Sequence, residues 1–401
     1  MKYDWKEYTV QELIDLDMLE KPLDGNHGSI HPKTSDYVPA GVPFIMANNL
    51  IGGSVDLKNC AFITEKQAAT LRKGFAKPGD VLITHKATIG RTAIVPNTYE
   101  TIILTPQVTY YRVKKGIDNR FLKYYFDSPD FQATLNNWAG AGSTRAYLGI
   151  TAQHKLPVVL PPLDEQKKIA NLLGGIDEKI ENNDEINNNL EQQAKALYKD
   201  WFFNFSPFST DGTLPDGWRV GTVNDIIQLH DSKRVPLSGA ERDKMAKIYP
   251  YYGATSLMDY VDNYLFDGIY LLLGEDGTVV DSLGFPILQY VYGQFWVNNH
   301  AHIITGKEGF SVEELYLFFS LTNIKSIVTG AVQQKVSQQN LKKVPAIIPS
   351  KEVLSAFDKL IQPIFAQIRN IRDENARLVE LRDTLLPKLM SGELDVSDID
   401  F

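Results

Sequence analysis

Two stretches of the chain place apolar residues at alternating steps of three and four, which is the a/d pattern of helices that pack along a seam. The seam positions of the first stretch are Ile169, Leu173, Ile176, Ile180, Asn183, Asn187, Leu190, Ala194, Leu197 and Trp201. Adding 188 to each position gives the seam of the second stretch, which is Phe357, Ile361, Ile364, Ile368, Ile371, Asn375, Leu378, Arg382, Leu385 and Leu389. The pattern therefore predicts two long helices in an internally duplicated chain.

The two predicted helices are expected to pair with each other, because neither can bury its apolar stripe alone. If a two-fold axis perpendicular to the helices relates the two copies, the pair is antiparallel. Asn187 and Asn375 occupy equivalent seam positions. A polar residue at such a position fixes the register of a coiled coil at some cost in stability. The alternative interpretation is that both asparagines are merely tolerated near the ends of the seam.

The ends of the helices are marked by capping residues and prolines. Asp164 follows Pro161 and Pro162 and is the expected N-cap of the first helix. The first helix should end near residues 201–205, before Pro207. Pro363 has no counterpart in the first copy, so we expect it either to bend the second helix or to mark its true start.

The segments ahead of each helix are predicted to be compact domains of short strands and turns. Strand patterns cover residues 80–84, 109–113, 268–273 and 302–304, and short helices are expected around 121–126 and 313–321. Glycine-containing turns are expected at 87–90 and 274–277. The predicted fold class is α+β: two tandem domains with curved β-sheets, joined by two long helices in an antiparallel coiled coil. The boundaries are a first domain at 1–160, a central helix at 161–205, a second domain at 206–348 and a C-terminal helix at 349–401.

Composition narrows the class of protein. The chain has 401 residues, of which 43% are apolar and 22% charged, as is ordinary for globular proteins. Its one cysteine, Cys60, excludes a disulfide framework and a multi-cysteine zinc site. Because no apolar run approaches ~20 residues and the first residues are too charged for a signal peptide, we expect a cytoplasmic protein with no membrane span. The net charge is −8, although residues 1–162 carry 18 Lys and Arg against 15 Asp and Glu.

Motifs for catalysis are missing from the sequence. There is no phosphate-binding Gly-x4-Gly-Lys-Ser/Thr loop, no dinucleotide Gly-x-Gly-x-x-Gly opening a helix and no His-Glu-x-x-His. The amino-methyltransferase tetrapeptide is also absent. Glu165-Gln166-Lys167 has the letters of a nuclease Glu-x-Lys core, but it opens a helix rather than lying on a strand. We therefore expect no catalytic residue and no metal site in this chain.

Several strings resemble the specificity subunit of Type I restriction–modification systems. Residues 160–170, Leu-Pro-Pro-Leu-Asp-Glu-Gln-Lys-Lys-Ile-Ala, resemble the signature that closes a target recognition domain of that family and opens its spacer helix. The end of the second copy, residues 385–394, is similar to the C-terminal helix of the family. Weaker similarities lie at residues 41–45, 87–90, 250–255 and 274–277. The second copy departs from the signature, because residues 349–354 read Pro-Ser-Lys-Glu-Val-Leu.

The resemblance implies a protein that recognises DNA and performs no chemistry. Each recognition domain would read one half of a split sequence in double-stranded DNA. The two helices would set the distance between the half-sequences and dock two methyltransferase (modification) subunits, and two restriction or translocase subunits could join the complex. No cofactor is expected in this chain, since S-adenosylmethionine, ATP and Mg would be bound by the partner subunits.

Candidate DNA contacts follow from the chemistry of readout. Lys and Arg suit phosphates and guanine, Asn and Gln suit adenine, and Asp or Glu can accept from cytosine. The candidates of the first domain are Lys66, Arg72, Lys73, His85, Lys86, Thr88, Arg91, Gln107, Ser143, Thr144, Arg145 and Tyr147. Those of the second domain are Glu275, Asp276, Thr278, Asn298, Asn299, His300, Gln333, Gln334 and Lys335. The simpler interpretation of the charged groups is a solvated surface, and that of His300 is a structural imidazole.

Two other functions fit parts of the sequence. A non-catalytic coiled-coil scaffold or adaptor that binds protein partners instead of DNA agrees with the acidic net charge. An enzyme with an unfamiliar site is the third class.

Overall fold

The computed structural model describes residues 5–140, 146–330, 333–397 and 399. The chain divides into two compact units. Unit 1 comprises Met1–Asn182 and Asn375–Phe401, and unit 2 comprises Asn183–Glu374.

The strands of unit 1 are β1 Lys6–Thr9, β2 Leu23–Asp24, β3 Val42–Ile45, β4 Leu50–Ile51, β5 Ser54–Val55, β6 Ala61–Ile63, β7 Phe75–Ala76, β8 Val81–Lys86, β9 Thr88–Ile94, β10 Ile102–Leu104, β11 Val108–Tyr111 and β12 Pro157–Leu160. Its helices are α1 Val10–Asp15, α2 Glu65–Ala68, α3 Asn119–Asp127, α4 Pro129–Trp138, α5 Ile150–Gln153 and the first part of α6 Leu163–Phe202. One sheet has the strand order β2-β11-β8-β9 and a second has the order β6-β3-β10-β7.

The strands of unit 2 are β13 Arg219–Thr222, β14 Ile227–Leu229, β15 Tyr249–Tyr252, β16 Leu257–Val261, β17 Phe266–Asp267, β18 Tyr270–Gly274, β19 Asp276–Gly277, β20 Leu288–Val291, β21 Gln294–Val297, β22 Ala301–Gly306, β23 Gln334–Lys335 and β24 Pro345–Ile348. Its helices are α7 Val223–Ile226, α8 Gly239–Arg242, α9 Val312–Leu321, α10 Gln338–Leu341 and the first part of α11 Lys351–Met390. Its sheets have the orders β14-β22-β18-β20 and β16-β15-β21-β17, with β19 paired to β23.

The central strand of each unit is buried on both faces. In unit 1, Val81 and Ile83 of β8 pack in the cluster that includes α3, whereas Leu82 packs in a separate cluster with the second sheet. In unit 2, Leu271 of β18 lies in the cluster around α9, whereas its neighbour Leu272 lies in another. Successive side chains of a strand point to opposite faces, so an unbroken apolar run indicates a strand covered on both sides.

The long helices α6 and α11 pack antiparallel, as the seam predicted. In unit 1, Asp177 bonds Arg382 at 2.9 Å, and the Ile180 carbonyl accepts from Asn375. Residue numbers rise along α6 while the numbers of their partners on α11 fall, so the two helices run in opposite directions. In unit 2, Asn183 Nδ2 donates to Glu374 Oε2 at 2.9 Å. Every seam residue of both helices is buried or half-buried. The predicted antiparallel pairing and α+β class are confirmed.

Two local expectations were wrong, as was one of the two alternatives for Pro363. Helix α6 begins at Leu163, so Asp164 lies inside the first turn instead of capping it. Helix α11 begins at Lys351 and continues through Pro363, so Pro363 does not mark the start of the helix, while a bend at Pro363 stays a prediction. Gly90 lies within β9 rather than in a turn. A Cβ at Gly90 would come within 2.1 Å of Gln132, which bonds the Gly90 carbonyl, so this strand position admits only glycine without movement.

The two copies attach their globular parts to the long helices in different ways. In unit 1, the Gln166 side chain is 1% exposed; its Nε2 donates to the carbonyls of Pro161 and Gly116, and its Oε1 accepts from the Asp118 amide. Position 354, which is 188 residues later, carries Leu354, and this side chain is 1% exposed in an apolar cluster. The departure from the signature in the second copy thus replaces a polar junction by an apolar one.

Among the described residues, no helix combines the length and the apolar character that a membrane span requires.

Candidate nucleic-acid interface

In unit 1, the tight turn between β8 and β9 carries several of the predicted side chains. Lys86 and Thr88 pair across Ala87, whose φ of 65° closes the turn. The segment at 146–148 runs alongside: the Ala87 amide donates to the Ala146 carbonyl, and Lys86 bridges Tyr147. We call residues 85–88, 107 and 146–148 surface 1.

The exposed side chains of surface 1 are a cation and an aromatic ring. Lys86 is exposed, and its Nζ lies 6.0 Å from the centre of the Tyr147 ring, which is itself 49% exposed. The His85 ring lies 5.7 Å beneath that ring. A lysine beside an open aromatic face suits contact with a phosphate and with a flat or apolar group.

Unit 2 builds the same backbone arrangement at the end of β18. The Glu275 amide donates to the His300 carbonyl, and the Glu275 carbonyl accepts from the Val336 amide. In unit 1, His85 makes the equivalent bonds with the Gln107 carbonyl and the Leu148 amide. Leu148 and Val336 are separated by the 188-residue repeat. We call residues 275–278, 298–300 and 333–336 surface 2.

Surface 2 has a different chemical character from surface 1. Asp276 Oδ1 lies 2.6 Å from His300 Nδ1, and Lys335 Nζ lies 3.6 Å from Glu275 Oε1. The exposed residues of surface 2 are Gly277, Thr278, Asn299, Gln333 and Lys335. Amide, hydroxyl and ammonium groups thus face outward, while the carboxylates of Asp276 and Glu275 are paired with His300 and Lys335.

Four further predicted residues of unit 1 lie outside surface 1 as defined above. Lys66, Arg72 and Arg91 are exposed. The Lys73 ammonium is bonded to the buried carboxylate of Asp24, so its charge is largely neutralised inside the unit. Lys73 and the basic partner His27 hold the pKa of Asp24 below its usual range, although burial acts to raise it.

Two predicted contacts lie in the interior instead of at the surface. His85 is 0% exposed, and its Nδ1 bonds the Leu148 carbonyl. Burial lowers the pKa of His85, so the ring is neutral and supports Tyr147 from below. Asn298 is 4% exposed, because its Oδ1 accepts the His300 amide within the 298–300 turn. The strand patterns alone did not indicate that the side chains of His85 and Asn298 would be buried.

Ser143, Thr144 and Arg145 lie outside the described residues. Of the register asparagines, Asn375 Nδ2 donates to the Ile180 carbonyl at 3.5 Å, a long bond. Within the described parts of the chain, Asn187 Oδ1 is buried without a hydrogen-bond partner. Asn183 instead makes the short bond within the helix pair. The register role of Asn187 and Asn375 stays a prediction.

Sequence reasoning missed a buried ionic network beneath surface 2. Arg234 Nη1 bonds Glu275 Oε2 at 2.7 Å, the Ala301 carbonyl at 2.7 Å and the Asn299 carbonyl at 3.3 Å. The Asp231 carboxylate accepts from the Ile303 amide, from His302 Nδ1 and from Gln338 Nε2. No periodicity marks the 231–234 segment, so only the spatial arrangement identifies it.

The same network contains a triad with the spacing of a metal site. Ligand atoms of Asp231, Glu275 and His302 lie within 4.8 Å of one another. Both His302 nitrogens are already engaged, by Asp231 and by the Val336 carbonyl at 2.7 Å. Because a carbonyl accepts only, Nε2 carries the hydrogen of that bond, while Nδ1, which faces the two carboxylates, is already bonded to Asp231. The Arg234 guanidinium already supplies the positive charge that balances these carboxylates. The triad therefore does not fit a bound metal cation.

Comparisons with known proteins agree with the internal repeat. The family model described as "Type I restriction modification DNA specificity domain" matches residues 2–192 and again 215–381. The Type I restriction enzyme MjaIX specificity subunit of Methanocaldococcus jannaschii is 27% identical over 367 residues, covering 84% of this chain and 82% of that protein. The Type I restriction enzyme HindI specificity subunit of Haemophilus influenzae is 24% identical over 319 residues, covering 60% and 69%.

A solved structure shares the fold. The crystal structure of a Type I restriction–modification system S subunit from M. genitalium has a TM-score of 0.56 at 16% identity, covering 97% of this chain and 96% of that one. The family match extends over both copies and includes the residues of surfaces 1 and 2. The chain therefore belongs to the family of Type I restriction–modification DNA specificity domains.

Proposed function

We propose that this chain is the non-catalytic DNA-recognition subunit of a Type I restriction–modification complex. Surface 1 reads one half of a bipartite DNA sequence, and surface 2 reads the other half. The observation that carries the proposal is the match of the family model to both copies of the repeat, each of which presents a surface at an equivalent strand end.

The chemistry of the two surfaces supports recognition of different base sequences. Surface 1 offers an exposed lysine and an exposed tyrosine, whereas surface 2 offers exposed Gln333, Thr278 and Asn299. Amides suit the paired donor and acceptor of an adenine edge, and hydroxyls serve either role. Two unlike surfaces on one repeated backbone would give an asymmetric bipartite target.

In this proposal, partner subunits supply the catalytic functions of the complex. The proposed partners are double-stranded DNA, two methyltransferase subunits docked on α6 and α11, and up to two restriction or translocase subunits. In this proposal S-adenosylmethionine, ATP and Mg are held by those subunits. The scaffold alternative is less favoured, because a protein-binding adaptor would not require a DNA specificity domain in each copy.

The test is selection of bound sequences from a random duplex pool by the full chain assembled with its modification subunits. We expect two enriched half-sequences and binding that weakens steeply with added salt, because phosphate contacts release counterions. Selection of no sequence by the assembled complex would overturn the proposal. Methyl transfer by the isolated chain would contradict the non-catalytic assignment.

The role of surface 2 is tested by Gln333→Ala, since Gln333 is exposed and makes a candidate base contact. Gln228→Ala is the matched control, because Gln228 is an exposed glutamine on β14 outside surface 2. We expect Q333A to relax base preference at one position in one half-sequence, by roughly fivefold to a hundredfold for a lost base contact. Q228A should leave both half-sequences unchanged. Uniform weakening on all sequences would assign Gln333 to the DNA backbone instead.

A further inference from the structure

Two of the three segments of surface 2 are bonded to one largely buried side chain, that of Arg234. Arg234 contacts the first segment through Glu275 and the second through the Asn299 carbonyl, and it also bonds the Ala301 carbonyl, which continues the second segment. Its Nε donates to the Asp231 carbonyl at 3.0 Å. A single planar guanidinium thus joins the exit of β18 to the entry of β22.

The third segment is tied to the same point through Asp231. The Asp231 carboxylate bonds His302 Nδ1 at 2.6 Å, and His302 Nε2 bonds the Val336 carbonyl at 2.7 Å. Gln338, which follows the third segment, donates its Nε2 to Asp231 at 2.5 Å. The segments at 275–278, 298–300 and 333–336 therefore share one ionic support.

The support lies largely beneath surface 2, which it joins through Glu275. The side chains of Arg234 and Glu275 are 13% and 15% exposed, and His302 is fully buried. All of Arg234's bonding directions described above point to protein groups. Arg234 is accordingly placed to position other residues, and the residues that face outward are Thr278, Asn299 and Gln333.

We propose that Arg234, held by Asp231 and His302, is the positioning residue that sets the base preference of surface 2. The inference rests on the proposed function. A guanidinium is suited to this task because its planar donors bond several acceptors in fixed directions, whereas the single ammonium of a lysine cannot reproduce that geometry. Loss of Arg234 frees the segments at 275–278 and 298–300 to move relative to each other, and preorganised donors and acceptors are what discriminate between bases.

The test repeats the duplex selection with the full complex containing Arg234→Met or Arg234→Lys. Arg242→Met is the matched control, because Arg242 is also an interior arginine of unit 2 at 15% exposure, and it pairs with Asp259 rather than with surface 2. The half-sequence altered by Q333A serves to assign surface 2. We expect R234M to lower the enrichment of that half-sequence by about tenfold, the loss of roughly one good base contact, and to leave the other half-sequence unchanged. R234K should restore it only in part, and R242M should preserve both.

The internal comparison of half-sequences separates positioning from general destabilisation. An unfolded unit 2 would abolish binding through that unit, whereas lost positioning leaves binding to DNA with reduced base preference. If R234M fails to fold, R234K in a folded complex decides the question. Full preference of R234K or R234M for both half-sequences, or equal loss in both, would overturn the inference. A wild-type complex that selects no sequence would instead overturn the proposed function.

Discussion

Glu314 is a buried carboxyl group that we expect to make the stability of unit 2 depend on pH. It lies in the first turn of α9, where its Oε2 accepts the Ser311 amide at 2.8 Å in a capping box. The side chain is 0% exposed, and within the described residues its Oε1 has no hydrogen-bond partner. Burial raises the pKa of Glu314 from 4.5 to about 8, with a smaller contribution in the same direction from Asp358.

The magnitude follows from that pKa change. The folded state holds the proton up to about pH 8, whereas the unfolded chain releases it near pH 4.5. The stabilisation linked to this proton is therefore complete below pH 4.5 and is lost as the pH rises through 8. A difference of 3.5 pKa units at ~1.36 kcal/mol each gives an upper figure of about 5 kcal/mol for the free energy of unfolding. Glu314→Gln removes the titration while keeping an oxygen acceptor for Ser311.

The assay is denaturant unfolding of wild type and E314Q across pH 5–9. We expect wild type to lose more stability than E314Q over this range, so that the difference between them grows in favour of E314Q as the pH rises. Glu241→Gln is the control, because Glu241 forms the same capping box with Ser238 at the surface, where those bonds lower its pKa. Parallel pH profiles for wild type and E314Q would refute the assignment of a neutral buried carboxyl group.

Two further substitutions test the packing of unit 2. Phe357→Ala should reduce its unfolding free energy by about 3–5 kcal/mol, because the fully buried ring packs edge-on against Tyr198 and its neighbours; a loss below ~1 kcal/mol in denaturant unfolding would contradict this packing. Tyr316→Phe should cost about 1–3 kcal/mol, because its hydroxyl donates to Glu191 Oε1 at 2.6 Å. Tyr260→Phe, at a ring 43% exposed, should leave the same denaturation curve unchanged, and equal effects of the two variants would argue against the bond.

The long-range features of the fold were predictable because they are periodic. Ten seam positions repeated at an offset of 188 predict two helices and a duplication, independently of the structure of the intervening segments. Central strands were also visible as short apolar runs, such as Val81–Ile83 of β8. Pro363 does not start α11, because packing of Ile361 and Phe365 in the core of unit 2 outweighs the loss of one helical hydrogen bond.

The site was predictable only in part, for a physical reason. Exposed residues such as Lys86 and Gln333 were identified by their chemistry and their place beside turns. Residue type does not show the direction in which a side chain points. Buried His85 and exposed Tyr147 were therefore both predicted to contact DNA. Arg234 was missed because its partners Glu275 and Ala301 lie 41 and 67 residues away and no local pattern links them.

The polar junction at Gln166 has a consequence for hybrid proteins assembled from different chains. Its side chain closes contacts with Gly116 and Asp118, some fifty positions upstream, whereas the corresponding Leu354 requires only an apolar neighbourhood. In a hybrid joined between residues 118 and 166, the Gln166 side chain would come from one chain, and Gly116 and Asp118, which it bonds, would come from the other. Crossovers placed after Gln166 keep both halves of that contact together, and the second copy should tolerate a wider choice of crossover points.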